Sequence, residues 1–239
     1  MITAQPIASW WRLLIHLTRF ELIRQWRRRG DLATVFAFYF LILTLAPLGL
    51  SPASNVLRGV APGLIWIAAL LAVMLASERA IRVDHRDGLI EPLLFSGATT
   101  ELIIFAKMLA GWISLMLPLV LASPLIFALM AVPASAMLPG AITIALGVPS
   151  LVNTGLAAAT LTAGARQGGA LLAVLLFPLQ LPVLIFGAGA LSQILGGQAL
   201  TGQVAGAEWQ VLAAFWLGST PIAIFAGALG LRGLIREGA

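Results

Sequence analysis

A chain of 239 residues that is 60% hydrophobic, 10% charged and of mean hydropathy +1.02 carries more apolar surface than a water-soluble domain of its size buries, so the excess faces lipid. Its formal charge of +5 does not point to nucleic acid, because the arginines are confined to segments between apolar runs and no basic groove interleaved with aromatics has anywhere to sit. With no cysteine, disulfide frameworks, thiolate zinc sites, iron–sulfur ligation and cysteine nucleophiles are excluded together.

The first element, within residues 1–31, is an expected cytoplasmic interfacial helix. Trp10, Trp11 and Leu14 lie on one side of a helical projection, and Arg12, His16 and Arg19 on another. The pattern degrades further on, where Glu21 and Gln25 fall on the apolar side. Arg27-Arg28-Arg29 then precede the first long apolar run, and the further runs behind it make it resemble a signal anchor rather than a cleaved signal peptide.

Apolar runs predict an all-α membrane protein with six transmembrane helices, at roughly 32–50, 60–77, 103–123, 137–162, 169–191 and 209–231. The third run continues through Pro124 to Val132, and the fourth contains Gly147-Val148-Pro149, so either is a candidate broken or re-entrant helix. Pro178 and Pro182, four residues apart, predict a kink in the fifth span. Small residues recur at helical spacing as Ala68, Ala72 and Ala76 and as Gly155, Ala159 and Ala163, which suits close helix packing. No repeat of fixed period emerges.

Orientation follows from the basic residues. With the N-terminus in the cytoplasm, thirteen of the 14 Lys and Arg fall in cytoplasmic segments and only Arg58 lies outside. Both termini, including the tail 232–239, are then cytoplasmic, and residues 32–231 hold the six spans.

The span interiors offer little chemistry. Lys107 lies near the cytoplasmic end of the third span, six residues after Glu101, and Glu208 opens the last; Asn153 and Gln180 are the strongly polar interior side chains. This disfavours a proton-coupled carrier with its own acid relay and a charge-ringed channel. His16, His85, Asp31, Asp84 and Asp87 all fall in cytoplasmic segments, and no H-E-x-x-H spacing occurs, so neither intramembrane hydrolysis nor a metal site is expected. The single lysine, Lys107, follows Ala106 rather than Gly. There is no G-x-x-x-x-G-K phosphate loop, and no extramembrane segment is large enough for a nucleotide-binding domain. Any ATP hydrolysis belongs to a partner subunit.

Charge concentrates instead between the second and third spans, from Glu78 to Lys107. Glu78, Arg79, Arg82, Asp87 and Glu91 offer ion-pairing groups, Gly88 interrupts the segment, and Leu89, Ile90, Leu93 and Leu94 offer an apolar face. Such a segment can dock on another protein and carry its movement to the attached spans; by composition alone, a solvated loop that merely stays on one side is an equal reading.

The pattern Glu78-Arg79, seven residues, then Asp87-Gly88-x-x-Glu91-x-Leu93-Leu94, with Lys107 entering the next span, resembles the cytoplasmic signature of ABC-2-type permeases. Two further stretches, Val60-Ala61-Pro62-Gly63-Leu64-Ile65-Trp66-Ile67-Ala68-Ala69-Leu70-Leu71 and Phe177-Pro178-Leu179-Gln180-Leu181-Pro182-Val183-Leu184-Ile185-Phe186, resemble the haem exporter protein B family, CcmB, of cytochrome c maturation. The likeness runs from the basic N-terminal helix to about residue 190, with departures at Leu89, where the family tends to carry a small hydroxyl residue, and at Pro92.

The resemblance implies an ABC-2-type (type V) exporter transmembrane domain in the bacterial inner membrane, a non-catalytic permease subunit whose segment 78–101 is the coupling loop. Glu78, Arg79, Arg82, Asp87, Gly88, Glu91, Leu93 and Leu94 would contact the ATPase. The implied partners are a CcmA-like cytoplasmic ATPase, a CcmC-like haem-handling membrane subunit, a small single-span CcmD-like subunit and a periplasmic CcmE-like haem chaperone, besides membrane lipid. No cofactor is expected on the chain itself; ATP is bound by the partner, and haem is the candidate substrate of the complex, whose work is haem export or release of the haem-loaded chaperone. A non-transporting membrane scaffold and an ABC-2-type exporter of another substrate are the alternative readings.

Overall fold

The computed structural model describes residues 7–50, 55–89, 92–93, 97–130, 132–163, 168–196 and 205–238. Its elements are α1 (Ile7–Arg27), α2 (Arg29–Leu50), α3 (Asn55–Arg86), α4 (Thr100–Gly111) continued by a π-helical turn (Trp112–Met116) into α5 (Leu117–Leu129), a 3-10 turn (Ala134–Ala136), α6 (Met137–Thr162), α7 (Gly168–Leu195) and α8 (Ala205–Gly238). Among the described residues there is no strand, and six helices are long and apolar enough to cross a membrane.

The helix that carries the second span continues past the end of the apolar run near Ser77: α3 runs unbroken to Arg86, because charged residues such as Glu78, Arg79 and Arg82 are good helix formers. Neither the third nor the fourth span breaks where proline and glycine suggested. α5 passes through Pro124 to Leu129, and α6 passes through Gly147-Val148-Pro149 without interruption. The irregularity in the third span is the π turn at Trp112–Met116, one residue wider per turn than an α-helix.

α6 is the central helix. Every residue from Gly147 to Thr160 is buried, as expected for a helix enclosed by its neighbours on all sides. It joins two apolar clusters. One gathers Tyr39, Trp66, Phe127, Leu151 and Val183 from α2, α3, α5, α6 and α7. The other gathers Leu14, Leu17, Ile81, Ile104, Leu156 and Leu231 from α1, α3, α4, α6 and α8.

Close approach depends on glycines at two places. The Trp66 indole lies against both Gly147 of α6 and Gly187 of α7, and a Cβ at either position would fall inside the van der Waals surface of the ring. At Gly230 a Cβ would lie 2.7 Å from the backbone nitrogen of Leu161, so α8 and α6 touch main chain to main chain. The small-residue series read from sequence has the expected role: Ala68 and Ala72 are buried, and Gly155 faces Ser77.

Toward the outside the helices present Leu41, Leu45, Leu121, Val174, Leu217 and Phe225, a surface suited to hydrocarbon rather than to water. α1 buries Leu14 and Leu17 and leaves Trp10, Trp11, Ile15, Phe20 and Trp26 exposed, the aromatic and aliphatic side chains that an interfacial helix presents to the headgroup region.

Candidate functional site

Four charged side chains meet at one end of the bundle. Lys107 of α4 donates from Nζ to Glu21 Oε1 of α1 at 2.6 Å and to Asp84 Oδ2 of α3. Arg24, one turn after Glu21, bonds through Nη2 to Glu21 Oε2 at 2.6 Å and to Asp84 Oδ1 at 2.7 Å. Each carboxylate therefore serves both cations, and the group is electrically neutral. Glu21 and Asp84 are 2% exposed and Lys107 is 5% exposed. Ions withdrawn so far from water persist only when paired and hydrogen-bonded, which this closed arrangement provides. Burial works against the charge on the Arg24 guanidinium, and the two carboxylates outweigh it, so its pKa sits above the ordinary value.

Helix geometry makes the cluster. Glu21 is the residue that breaks the amphipathic pattern of α1, and it turns inward with Leu14 and Leu17. Asp84 reaches it because α3 continues as a helix beyond the apolar span. Lys107 joins from α4, whose start is fixed by Thr99, the side chain of which caps the helix by accepting from Leu102 N at 3.3 Å. Arg232 of α8 adds a tie at the same end, with Nε donating to Thr100 Oγ1 at 3.0 Å and a guanidinium contact to Glu101.

Of the residues expected to face an ATPase, Glu78, Arg79 and Arg82 lie on α3, the helix that carries Asp84. Glu78 and Arg82 pair one turn apart on α3, and Arg82 keeps 70% of its side chain exposed. Arg79 lies 3.6 Å from Asp31 of α2, and Asp87 pairs with Arg28 in the α1–α2 junction. Gly88 ends α3 in the left-handed conformation, at φ 64°. Gly88 N bonds to His85 O and Leu89 N to Asp84 O, the double bond of a Schellman cap, which favours glycine there. Leu93 is buried in the second apolar cluster beside α1 and α4, so its side chain faces inward rather than outward. Glu91 and Leu94 lie outside the described residues. Pro178 and Pro182 lie within an uninterrupted α7.

A second polar group sits deeper. Asn153 of α6 accepts from Trp112 Nε1 at 2.8 Å, and its Nδ2 donates to Ser219 Oγ at 3.1 Å and Thr220 Oγ1 at 3.0 Å of α8. Trp112 opens the π turn and meets Trp216 edge-on, 5.2 Å between ring centres. Gln180 donates to Leu151 O at 3.2 Å and Thr154 Oγ1 at 3.0 Å, joining α7 to α6 between the two prolines. Among the described residues no group of acids and histidines is arranged to hold a metal ion.

The family model for CcmB protein matches residues 12–233, which take in every residue named in both polar groups. The chain belongs to the CcmB family. It is similar to Heme exporter protein B of Pseudomonas aeruginosa, 41% identical over 202 residues, covering 84% of this chain and 89% of that protein. The proteins of the same name from Rhodobacter capsulatus and Escherichia coli K12 are 35% and 34% identical over 206 and 222 residues, covering 86% and 93% of this chain and 92% and 97% of theirs. The CcmB likeness read from the Trp66 stretch and the Pro178–Pro182 stretch is thus borne out, and in the fold Trp66 of the first lies against Gly187, five residues after Pro182 on the helix that carries the second.

Sequence reasoning missed the cluster at Glu21, Arg24 and Asp84. The signal available was Glu21 itself, an acid on the apolar side of an amphipathic helix, with a lone lysine in a span able to answer it.

Proposed function

We propose that this chain is the membrane permease subunit of a haem-export system serving cytochrome c maturation, driven by ATP hydrolysis on a separate CcmA-like subunit. Family membership and the Heme exporter protein B relatives support the assignment. The chain itself carries no catalytic role in this reading. It works in the bacterial inner membrane with both termini cytoplasmic, beside CcmC-like and CcmD-like membrane subunits, and ATP turnover leads to haem export or release of a haem-loaded, CcmE-like chaperone.

The observation that carries the coupling part is the continuity of α3 from the apolar span to Arg86. A partner that grips Glu78, Arg79 and Arg82, with Asp87 and Glu91 as further contacts at and after the end of α3, acts on a rigid lever, and Asp84 passes the displacement to Lys107 of α4 and Glu21 of α1 in one step. Gly88 ends the lever, while Leu93, with Leu94 beside it in sequence, anchors the segment that follows. Pro178 and Pro182 supply a point of bending in α7.

The test is ATP hydrolysis by the reconstituted complex with and without haem-loaded chaperone. Wild-type complex responds to the chaperone, whereas a complex carrying Lys107→Met retains the ATPase subunit but responds weakly. An unaltered response in the variant contradicts the lever.

A further inference from the structure

Beside the charge cluster, α1, α2, α3, α4 with the π turn, and α6 line a half-open cavity. Its lining is mixed: Arg24, Arg28, Arg79 and Lys107 stand with the acids Glu21, Asp31 and Asp84, and Leu32, Val35, Ala80, Leu115, Val152 and Leu156 are among its apolar members. The charged part carries an unanswered donor: Arg24 commits Nη2 to the carboxylates, but its Nη1, with less than 1 Å² exposed, has no hydrogen-bond partner among the described residues. A buried guanidinium nitrogen without an acceptor is costly, and the cavity is the space from which one can arrive.

We propose that this cavity binds a membrane phospholipid, with a phosphate oxygen accepting from Arg24 Nη1 and an acyl chain lying against Val35, Leu115 and Val152. The position suits such a ligand: the cation sits at the end of the bundle where the charged residues gather, at headgroup depth, and the apolar wall runs from there toward the span interiors. Planar phosphate recognition by arginine and burial of methylenes by the wall act together on one amphiphile. The lipid would fill the gap between α1 and α3, two of the three helices that the charge cluster joins, and so stabilise the docked position of α1.

The test uses the full chain purified in detergent, delipidated and examined by native mass spectrometry with phosphatidylglycerol, a monoglyceride of the same chain length and inorganic phosphate. Phosphatidylglycerol is expected to be retained in preference to the monoglyceride and not to be displaced by phosphate. Ala80→Leu, which fills the apolar wall and leaves every charge in place, is expected to weaken retention about tenfold, the effect of excluding roughly two methylenes. Arg24→Lys keeps a positive charge beside Glu21 and Asp84 but replaces the guanidinium fork, with its separate Nη1, by a single shorter ammonium held at the carboxylates, and is expected to erase the preference over the monoglyceride. Unchanged retention by a folded Ala80→Leu protein, displacement by phosphate alone or by haem, or no lipid retained by the wild type overturns the assignment, the last leaving water as the partner of Arg24.

Discussion

Lys107 and Asp84, 23 residues apart and on opposite sides of the charged interhelical segment, form an ion pair whose side chains are 5% and 2% exposed. The pair joins the end of α3 to the body of α4, and through Glu21 it holds α1 to both.

Replacing Lys107 with methionine leaves two buried carboxylates facing one arginine, and is expected to cost about 3–5 kcal/mol. Adding Asp84→Asn restores a neutral Glu21–Arg24 pair, so the double variant recovers much of the loss. Thermal unfolding in detergent of the two singles and the double, read as a double-mutant cycle, checks this.

Gly147→Ala and Gly187→Ala each drive a methyl into the Trp66 ring. Each is expected to destabilise by about 1–3 kcal/mol through overpacking, and Trp66→Phe in the Gly147→Ala background to relieve part of it. The melting temperatures of the three proteins decide the matter.

Asn153→Leu removes the acceptor of Trp112 and the donor to the hydroxyls of Ser219 and Thr220, which keep their own bonds to Trp216 O. The expected cost is about 1–2 kcal/mol, in the range measured for interhelical hydrogen bonds in membranes. Because Trp112 opens the π turn, its fluorescence should report a changed environment even if stability moves little.

At Gly88 the backbone stands at φ 64°. Alanine there is expected to cost about 1 kcal/mol and to loosen the end of α3, whereas asparagine, which tolerates the left-handed region, costs less. Protease accessibility of the segment after Gly88 separates the two variants.

Most of the bundle was legible in the sequence because spans are written in hydropathy, a local signal. The fourth span, Met137–Thr162, coincides with its expected range. The charged end was less legible for two physical reasons. Hydropathy falls at Glu78 while helix propensity does not, so the same residues that ended the predicted span continue α3 to Arg86. The cluster is also non-local: Glu21 and Lys107 are separated by 86 positions, and only the misplaced acid on α1 hinted that a buried cation awaited it. The π turn at Trp112–Met116 is flanked by Gly111 and Pro118, but these alone did not single it out, because Asn153, which holds the Trp112 indole, lies on another helix. The identity of the family was legible earlier than the geometry, through the Trp66 stretch, whose tryptophan proves to be clasped by two glycines from other helices.

The coupling role of the charged segment is tested most directly by cross-linking, which the absence of cysteine makes clean. A single cysteine placed at Arg82, the most exposed member of the segment's ion pairs, and another at Glu208, which opens α8, are treated with a short bifunctional thiol–amine reagent in membranes containing the ATPase subunit. The account predicts a permease–ATPase adduct from position 82 that is lost on adding Arg79→Ala and Glu91→Ala, and none from position 208. An adduct from 208, or no adduct from 82 while the ATPase still copurifies, contradicts it.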